Sequence, residues 1–355
     1  MDNSDTAALS NNGLTCASSA AQGCCNSGRV YVGTTEGTVR AVAPNESGRC
    51  GEAELPLTHA CRELRVCTYA VSSVCGIEAK ENHLLLVGSV GGELVVLQRE
   101  LEVRRFQLDS AVQQIVYNRD GEFIVGDAQG YLYGVTQYEI GWKKQLTTDV
   151  SNENDVGLTY FYPAMAKPTV QAIVRARLMD VEKTLSNYIL VATGQKHLVV
   201  THCGQDTGVI QTRAPIAALV SCPVGDEDIV LASGEEGIIY RLISYRDLTP
   251  NGTVDFRFSM EIWVHVPFPV VKLLPITSSK TNSSEFAWIC LGVNGEIVLY
   301  RGQELVRQWG SASFSNVKHD FPVDLTILNG DEDNVRGVIV FSDSMYIFPV
   351  DLMGQ

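Results

Sequence analysis

The sequence predicts an all-β chain wound into a seven-bladed β-propeller, each blade a sheet of four antiparallel strands. Three observations carry this reading. A hairpin-forming pattern of eleven residues recurs along the 355-residue chain. A shorter pattern precedes most copies of it, always in the same order. A further strand-like run follows several copies. Units of four strands and about 51 residues have the period of propeller blades, and the whole chain, 1–355, reads as one ring.

The hairpin pattern is apolar, small, any three residues, Gly, then apolar residues that alternate or run on. Its copies occupy residues 32–42, 87–97, 125–135, 232–242 and 290–300. A copy that has lost its glycines occupies 340–350, and a degenerate one 189–200. Each reads as a strand, a tight turn and a second strand; a helical period fits none of them. Gly37, Gly92, Gly130, Gly237 and Gly295 close the turns, where a left-handed backbone is required and glycine adopts it freely.

The preceding pattern is Ala or Pro, apolar, any two, apolar. It appears at 70–74, 111–115, 215–219, 269–273 and 322–326, with a close variant at 169–173. The following strands include 101–108, 140–146, 261–266 and 304–309. The last unit stops soon after its third strand, which leaves its outer strand to be found elsewhere. Residues 6–9 are the expected source, closing the ring and removing an exposed sheet edge. The alternative is an open or six-bladed ring with a frayed seventh unit.

Apolar residues make up 45% of the chain and charged residues 19%, a globular composition. The net charge of −14 argues against a nucleic-acid surface, which needs a basic excess. No apolar run reaches the length of a membrane helix, so no membrane insertion is expected. The acidic start Met1-Asp2-Asn3-Ser4-Asp5 does not read as a signal peptide. The ten cysteines form no C-x-x-C pair, consistent with reduced thiols in an intracellular, cytoplasmic protein.

The chain lacks the Trp-Asp and Gly-His dipeptides of standard WD40 repeats. Its glycine-led strands, followed by strands bearing Trp142, Trp263 and Trp309, resemble quinoprotein-like and FG-GAP-like propellers. The layout is similar to the FG-GAP repeat-containing protein of a nutrient-signalling scaffold and to propellers of the Bardet–Biedl trafficking complex. The second likeness implies a ciliary or vesicle-trafficking subunit, with a cilium-associated location. Calcium loops of the FG-GAP kind are not matched. Residues 226–228 and 331–334 lack the alternating oxygen ligands and turn glycine, and read as acidic turns between strands.

No catalytic constellation is visible. P-loop, dinucleotide-binding and nucleophile-elbow patterns are absent. His197 and His202 lie five residues apart, an odd spacing that puts them on opposite strand faces without further ligands nearby, so no metal is expected. Cys24-Cys25 sits in a turn and reads as structural. No cofactor is expected. Four insertions, 43–60, 147–167, 244–253 and 277–284, offer loops for partners. The second carries Tyr160, Phe161 and Tyr162, the candidate partner-binding residues, because aromatic side chains dominate interface hot spots. The alternative is that these three cover the ring edge or begin the first strand of the fourth blade. The sequence thus points to a non-catalytic intracellular scaffold that mediates protein–protein interactions among subunits of an assembly. The competing class is an enzyme, quinoprotein-like or a hydrolase with loop-borne residues.

Overall fold

Every regular element among the described residues is a strand, and the 28 strands form seven separate four-stranded antiparallel sheets. The computed structural model describes residues 13–19, 29–42, 53–54, 62–78, 83–119, 121–146, 168–179, 184–202, 204–234, 236–248, 254–276, 286–310, 321–329 and 335–351. Blade 1 contains β1 (Leu14–Ser19), β2 (Val30–Thr34) and β3 (Thr38–Val42); after β4 (Ala53–Glu54), β5 (Arg62–Arg65) completes it. Blade 2 is β6 (Val71–Glu78), β7 (His83–Ser89), β8 (Glu93–Gln98) and β9 (Leu101–Gln107). Blade 3 is β10 (Val112–Arg119), β11 (Glu122–Asp127), β12 (Tyr131–Val135) and β13 (Ile140–Gln145). Blade 4 is β14 (Ala172–Met179), β15 (Leu185–Ala192), β16 (His197–His202) and β17 (Gln205–Gln211). Blade 5 is β18 (Ala218–Val224), β19 (Glu227–Ser233), β20 (Ile238–Leu248) and β21 (Val254–His265). Blade 6 is β22 (Val270–Ile276), β23 (Ala287–Gly292), β24 (Ile297–Arg301) and β25 (Glu304–Trp309). Blade 7 is β26 (Pro322–Asn329), β27 (Val335–Phe341) and β28 (Met345–Pro349), with β4 as its outer strand.

The inner strands meet in sequence around the ring, and β26 meets β1, so the array is closed. The core is correspondingly divided. Seven apolar clusters exist among the described residues, one between each pair of neighbouring blades. This is why the middle strands are mostly apolar on both faces. Both faces of β2, β3 and β23 are buried, because each blade is sandwiched between two others. Full burial of each such side chain contributes roughly 1.5–3 kcal/mol.

The two sequence patterns turn out to be the two sides of one contact. The hairpin pattern forms the second and third strands of each blade; the shorter pattern forms the inner strand of a blade. The small residue of the first meets the leading apolar residue of the second on the next blade. A methyl group added at Gly33 would lie 2.5 Å from Val71 Cγ1; at Gly88, 2.4 Å from Val112 Cγ1; at Gly126, 2.5 Å from Val170 Cγ1. Space, not backbone angle, excludes a side chain at these three.

Gly37, Gly92, Gly130, Gly237 and Gly295 all have φ between +72° and +88°. Gly130 shows what the turn demands beyond that angle. Its N–H closes the turn on the Asp127 carbonyl at 3.2 Å, and its carbonyl accepts the Leu146 N–H at 2.8 Å. The chain entering blade 4 passes so close that a Cβ there would lie 2.3 Å from the Pro168 carbonyl oxygen. The degenerate fourth copy has its own left-handed glycine, Gly194.

Three expectations change. The outer strand of blade 7 is β4, paired through Tyr346 with Glu54 and Ile347 with Ala53. The chain leaves blade 1 after β3, adds this strand to blade 7 and returns as β5. Residues 6–9, expected there, lie outside the described residues, and the insertion 43–60 supplies the seam instead. Residues 244–248 of the insertion 244–253 are sheet, since β20 and β21 pair out to Leu248 and Val254; residues 249–253 lie outside the described residues. Finally, the inner-strand pattern at 322–326 is displaced by one residue. A bulge separates Val71 from Ser73 in β6 and Pro322 from Asp324 in β26, so Pro322 matches Val71.

Candidate functional site

Seven inner strands present seven free edges to a central channel. An unpaired sheet edge is a row of N–H and C=O groups without partners. The chain satisfies several N–H groups with side chains from the preceding blade. The residue that ends the bulge, or its counterpart, supplies the acceptor: Ser73 Oγ takes the Ile115 N–H at 3.1 Å, and Gln114 Oε1 takes the Ile173 N–H at 2.5 Å. Asp324 Oδ2 takes the Ala17 N–H at 2.8 Å across the seam between blades 7 and 1. Asp324 also accepts the Leu325 N–H at 2.8 Å and the Lys272 ammonium of blade 6. One buried carboxylate therefore joins blades 6, 7 and 1.

In blades 4 and 5 the corresponding residues are Ala172 and Ala218, which have nothing to offer. There the clasp comes from Asp228 at the start of β19. Its Oδ2 accepts the Arg177 N–H at 2.8 Å, and its Oδ1 accepts Arg177 Nη2 at 2.7 Å and Nε at 3.0 Å. In the sequence, residues 226–228 read as an acidic turn. Nothing local marks Asp228 as a clasp, because its partner lies 51 residues away. Beside the two alanines the channel widens to a cavity of about 390 Å³, bounded by the inner strands of blades 3 to 6. Arg175, Arg177, Lys272 and Asp228 line it, as do Pro223 and Pro275. Proline is tolerated in an inner strand only at such an edge, where no ladder partner exists for its missing N–H.

One end of the ring carries the second-to-third-strand turns and the crossings between blades. Here Glu93 is buried and accepts the Thr68 N–H at 2.8 Å, the Thr68 hydroxyl at 2.9 Å and Arg105 Nη1 at 3.0 Å. Burial pushes its pKa up, but these donors, with the Tyr69 N–H, outweigh burial and hold the carboxyl below its usual range. The crossing into blade 2 is thereby fixed, and it presents Tyr69 at 56% exposure. Phe321, at 66%, stands just before β26 of blade 7. Val90, Val271, Val293 and Val323 are also exposed at this end.

Tyr160, Phe161 and Tyr162 lie outside the described residues, as do Cys24, Cys25 and residues 331–334. Among the described residues no group of three metal-ligating side chains occurs. His202 Nδ1 is 2.8 Å from the Asn187 carbonyl oxygen, whereas His197 is buried, which lowers its pKa. The described cysteines are free thiols; burial raises the pKa of Cys16, Cys67 and Cys75 to about 12 and that of Cys222 and Cys290 further. Among the described residues no helix is long and apolar enough to cross a membrane. The channel can hold a charged group, and the turn-bearing end can hold an apolar surface.

No protein-family model matches the chain, and no curated protein matches it. Solved propellers do. The structure of BBS1N in complex with ARL6DN matches with a TM-score of 0.58 and 14% identity, over 93% of this chain and 90% of that one. The WD40 β-propeller domain of Doa1 matches with a TM-score of 0.62 and 11% identity, over 96% and 94%. The C-terminal WD40 domain of Sif2 matches with a TM-score of 0.55 and 14% identity, over 97% and 83%. At these identities the likeness establishes the seven-bladed, WD40-like propeller fold.

Proposed function

We propose that the chain is a non-catalytic propeller scaffold, working in the cytoplasm, that brings protein subunits of an assembly together. The observation that carries this is the apolar display at the turn-bearing end. Tyr69 stands out on a crossing held by Glu93, Phe321 stands out beside the first residue of β26, and an exposed aromatic on a rigid support is the kind of anchor that interface hot spots use. A closed ring loses little conformational entropy on binding, so such anchors keep more of their interaction energy. The test is co-purification of the full chain from native lysate at physiological salt. Stoichiometric protein partners are expected, and Phe321→Ser or Tyr69→Ser should release at least one of them. The scaffold reading fails if no stoichiometric partner is found, or if the partners are indifferent to both substitutions.

A narrower reading is a ciliary or vesicle-trafficking subunit. The sequence layout resembles the Bardet–Biedl propellers, and the likeness to BBS1N, solved with ARL6DN bound, supports it. A tagged full-length chain that never concentrates at cilia or vesicles would remove it. Kinship with FG-GAP or quinoprotein-like propellers stays part of this proposal and rests on the strand pattern alone.

A further inference from the structure

We propose that the channel cavity between blades 3 and 6 binds a small ligand through a carboxylate or phosphate group, with Arg175 as its anchor. The argument starts from strand alternation. In β14 the N–H groups of Ile173 and Arg177 point to the channel and are taken by Gln114 and Asp228. Arg175 lies between them, so its N–H faces the same way, and no acceptor for it exists among the described residues. Its guanidinium is half-buried and donates to the Asn118 carbonyl oxygen; among the described residues no carboxylate pairs with it. Arginine has five N–H donors in a fixed fork, and among the described residues one of them is used here.

The surroundings favour an anion. Arg177 and Lys272 line the same cavity, and each is already matched by a carboxylate, Asp228 and Asp324. Among the described residues Arg175 is the cation that no carboxylate matches. It sits in a chain whose net charge is −14, so a positive cavity is set against the general field of the protein. The volume of about 390 Å³ is that of a site for a small organic molecule. The space exists because Ala172 and Ala218 stand where other blades place Gln114, Lys272 and Asp324. Pro223 and Pro275 give the far wall an apolar surface for the body of the ligand. This inference is independent of what docks on the turn-bearing end.

The probes are inorganic phosphate and citrate, titrated into the full chain by calorimetry and by thermal unfolding at constant ionic strength. Saturable binding of at least one is expected, and which one binds separates phosphate from carboxylate recognition. Arg175→Gln should weaken binding by about tenfold or more, since a charge-assisted pair is lost. Arg104→Gln on the exposed outer strand of blade 2 should leave it unchanged. Should Arg175→Gln fail to fold, Ala217→Glu at the cavity rim puts a negative charge into the site without touching Arg175, and should abolish binding. Neither probe binding saturably, or binding that survives Arg175→Gln or Ala217→Glu in a folded ring, overturns the proposal.

Discussion

Two glycines with the same backbone angle should respond very differently to alanine. Gly121 and Gly130 have φ of +81° and +79°. A Cβ at Gly121 would meet nothing within 4 Å, whereas at Gly130 it would lie 2.3 Å from the Pro168 carbonyl oxygen. The left-handed angle costs an L-residue about 1–2 kcal/mol. Alanine recovers about 0.4–1 kcal/mol by restricting the unfolded chain. Gly121→Ala should therefore destabilise by about 1 kcal/mol. At Gly130 the backbone of the crossing must also move, and forced overpacking adds about 1–3 kcal/mol, for a total of about 2–4 kcal/mol. With unfolding entropy of about 2.1 cal/mol/K per residue over the chain, 1 kcal/mol shifts Tm by about 1.3 °C. Scanning calorimetry of both variants should show losses of about 1 °C and about 3–5 °C. Equal shifts, or a larger loss at Gly121, would refute the claim that the crossing strand, and not the angle alone, demands glycine.

Other outcomes follow from the same geometry. Gly33→Ala should be rescued in part by Val71→Ala, with a coupling of about 1 kcal/mol in a double-mutant cycle; additive losses would separate the two patterns. Asp324→Ala removes the carboxylate shared by blades 6, 7 and 1 and should cost about 2–4 kcal/mol in urea unfolding; a loss below about 1 kcal/mol would discount that joint. His197 is held neutral by burial, so the unfolded chain binds its proton first, and stability should fall as pH drops below the ordinary value of 6.5. Glu93 has a depressed pKa, so its contribution is present above its ordinary value of 4.5 and is lost as pH falls through the folded value. A pH–Tm profile of His197→Gln that keeps the upper limb would show that another group controls it. Peptide mapping after thiol labelling at pH 8 should find Cys16, Cys67, Cys222 and Cys290 modified only in the unfolded chain; early labelling of these would contradict their burial.

The blades were legible in the sequence because their determinants are local. A left-handed turn needs its glycine within four residues of the strand it closes, and Gly37, Gly92 and Gly130 announce themselves. Even the packing of Gly33 on Val71 left a trace, since it requires a small residue in one pattern and an apolar one in the next. The seam left none. β4 is two residues long, too short for any period, and its partner strand lies at the other end of the chain. The clasps were illegible for the same reason. Asp228 reads as one more acid in a turn until the fold brings Arg177 to it.

One part of the site could still have been read. The fourth position of the inner-strand pattern is Ser73 in blade 2, Gln114 in blade 3 and Lys272 in blade 6, but Ala172 in blade 4 and Ala218 in blade 5. Within a ring, that position borders the channel. A polar side chain there spans to the neighbouring blade and fills space; an alanine does neither. Two adjacent alanines therefore mark both a missing clasp and an opening. Between blades 4 and 5 a different clasp is made from another strand by Asp228, which caps Arg177; among the described residues it leaves Arg175 without a carboxylate. The cavity and its cation thus have a single origin: the inner edge is clasped by one device at the junctions of blades 2 and 3, 3 and 4, and 7 and 1, and by another between blades 4 and 5. If Ala218→Gln were to fill the opening without loss of stability, the cavity would be shown to serve the ligand and not the ring.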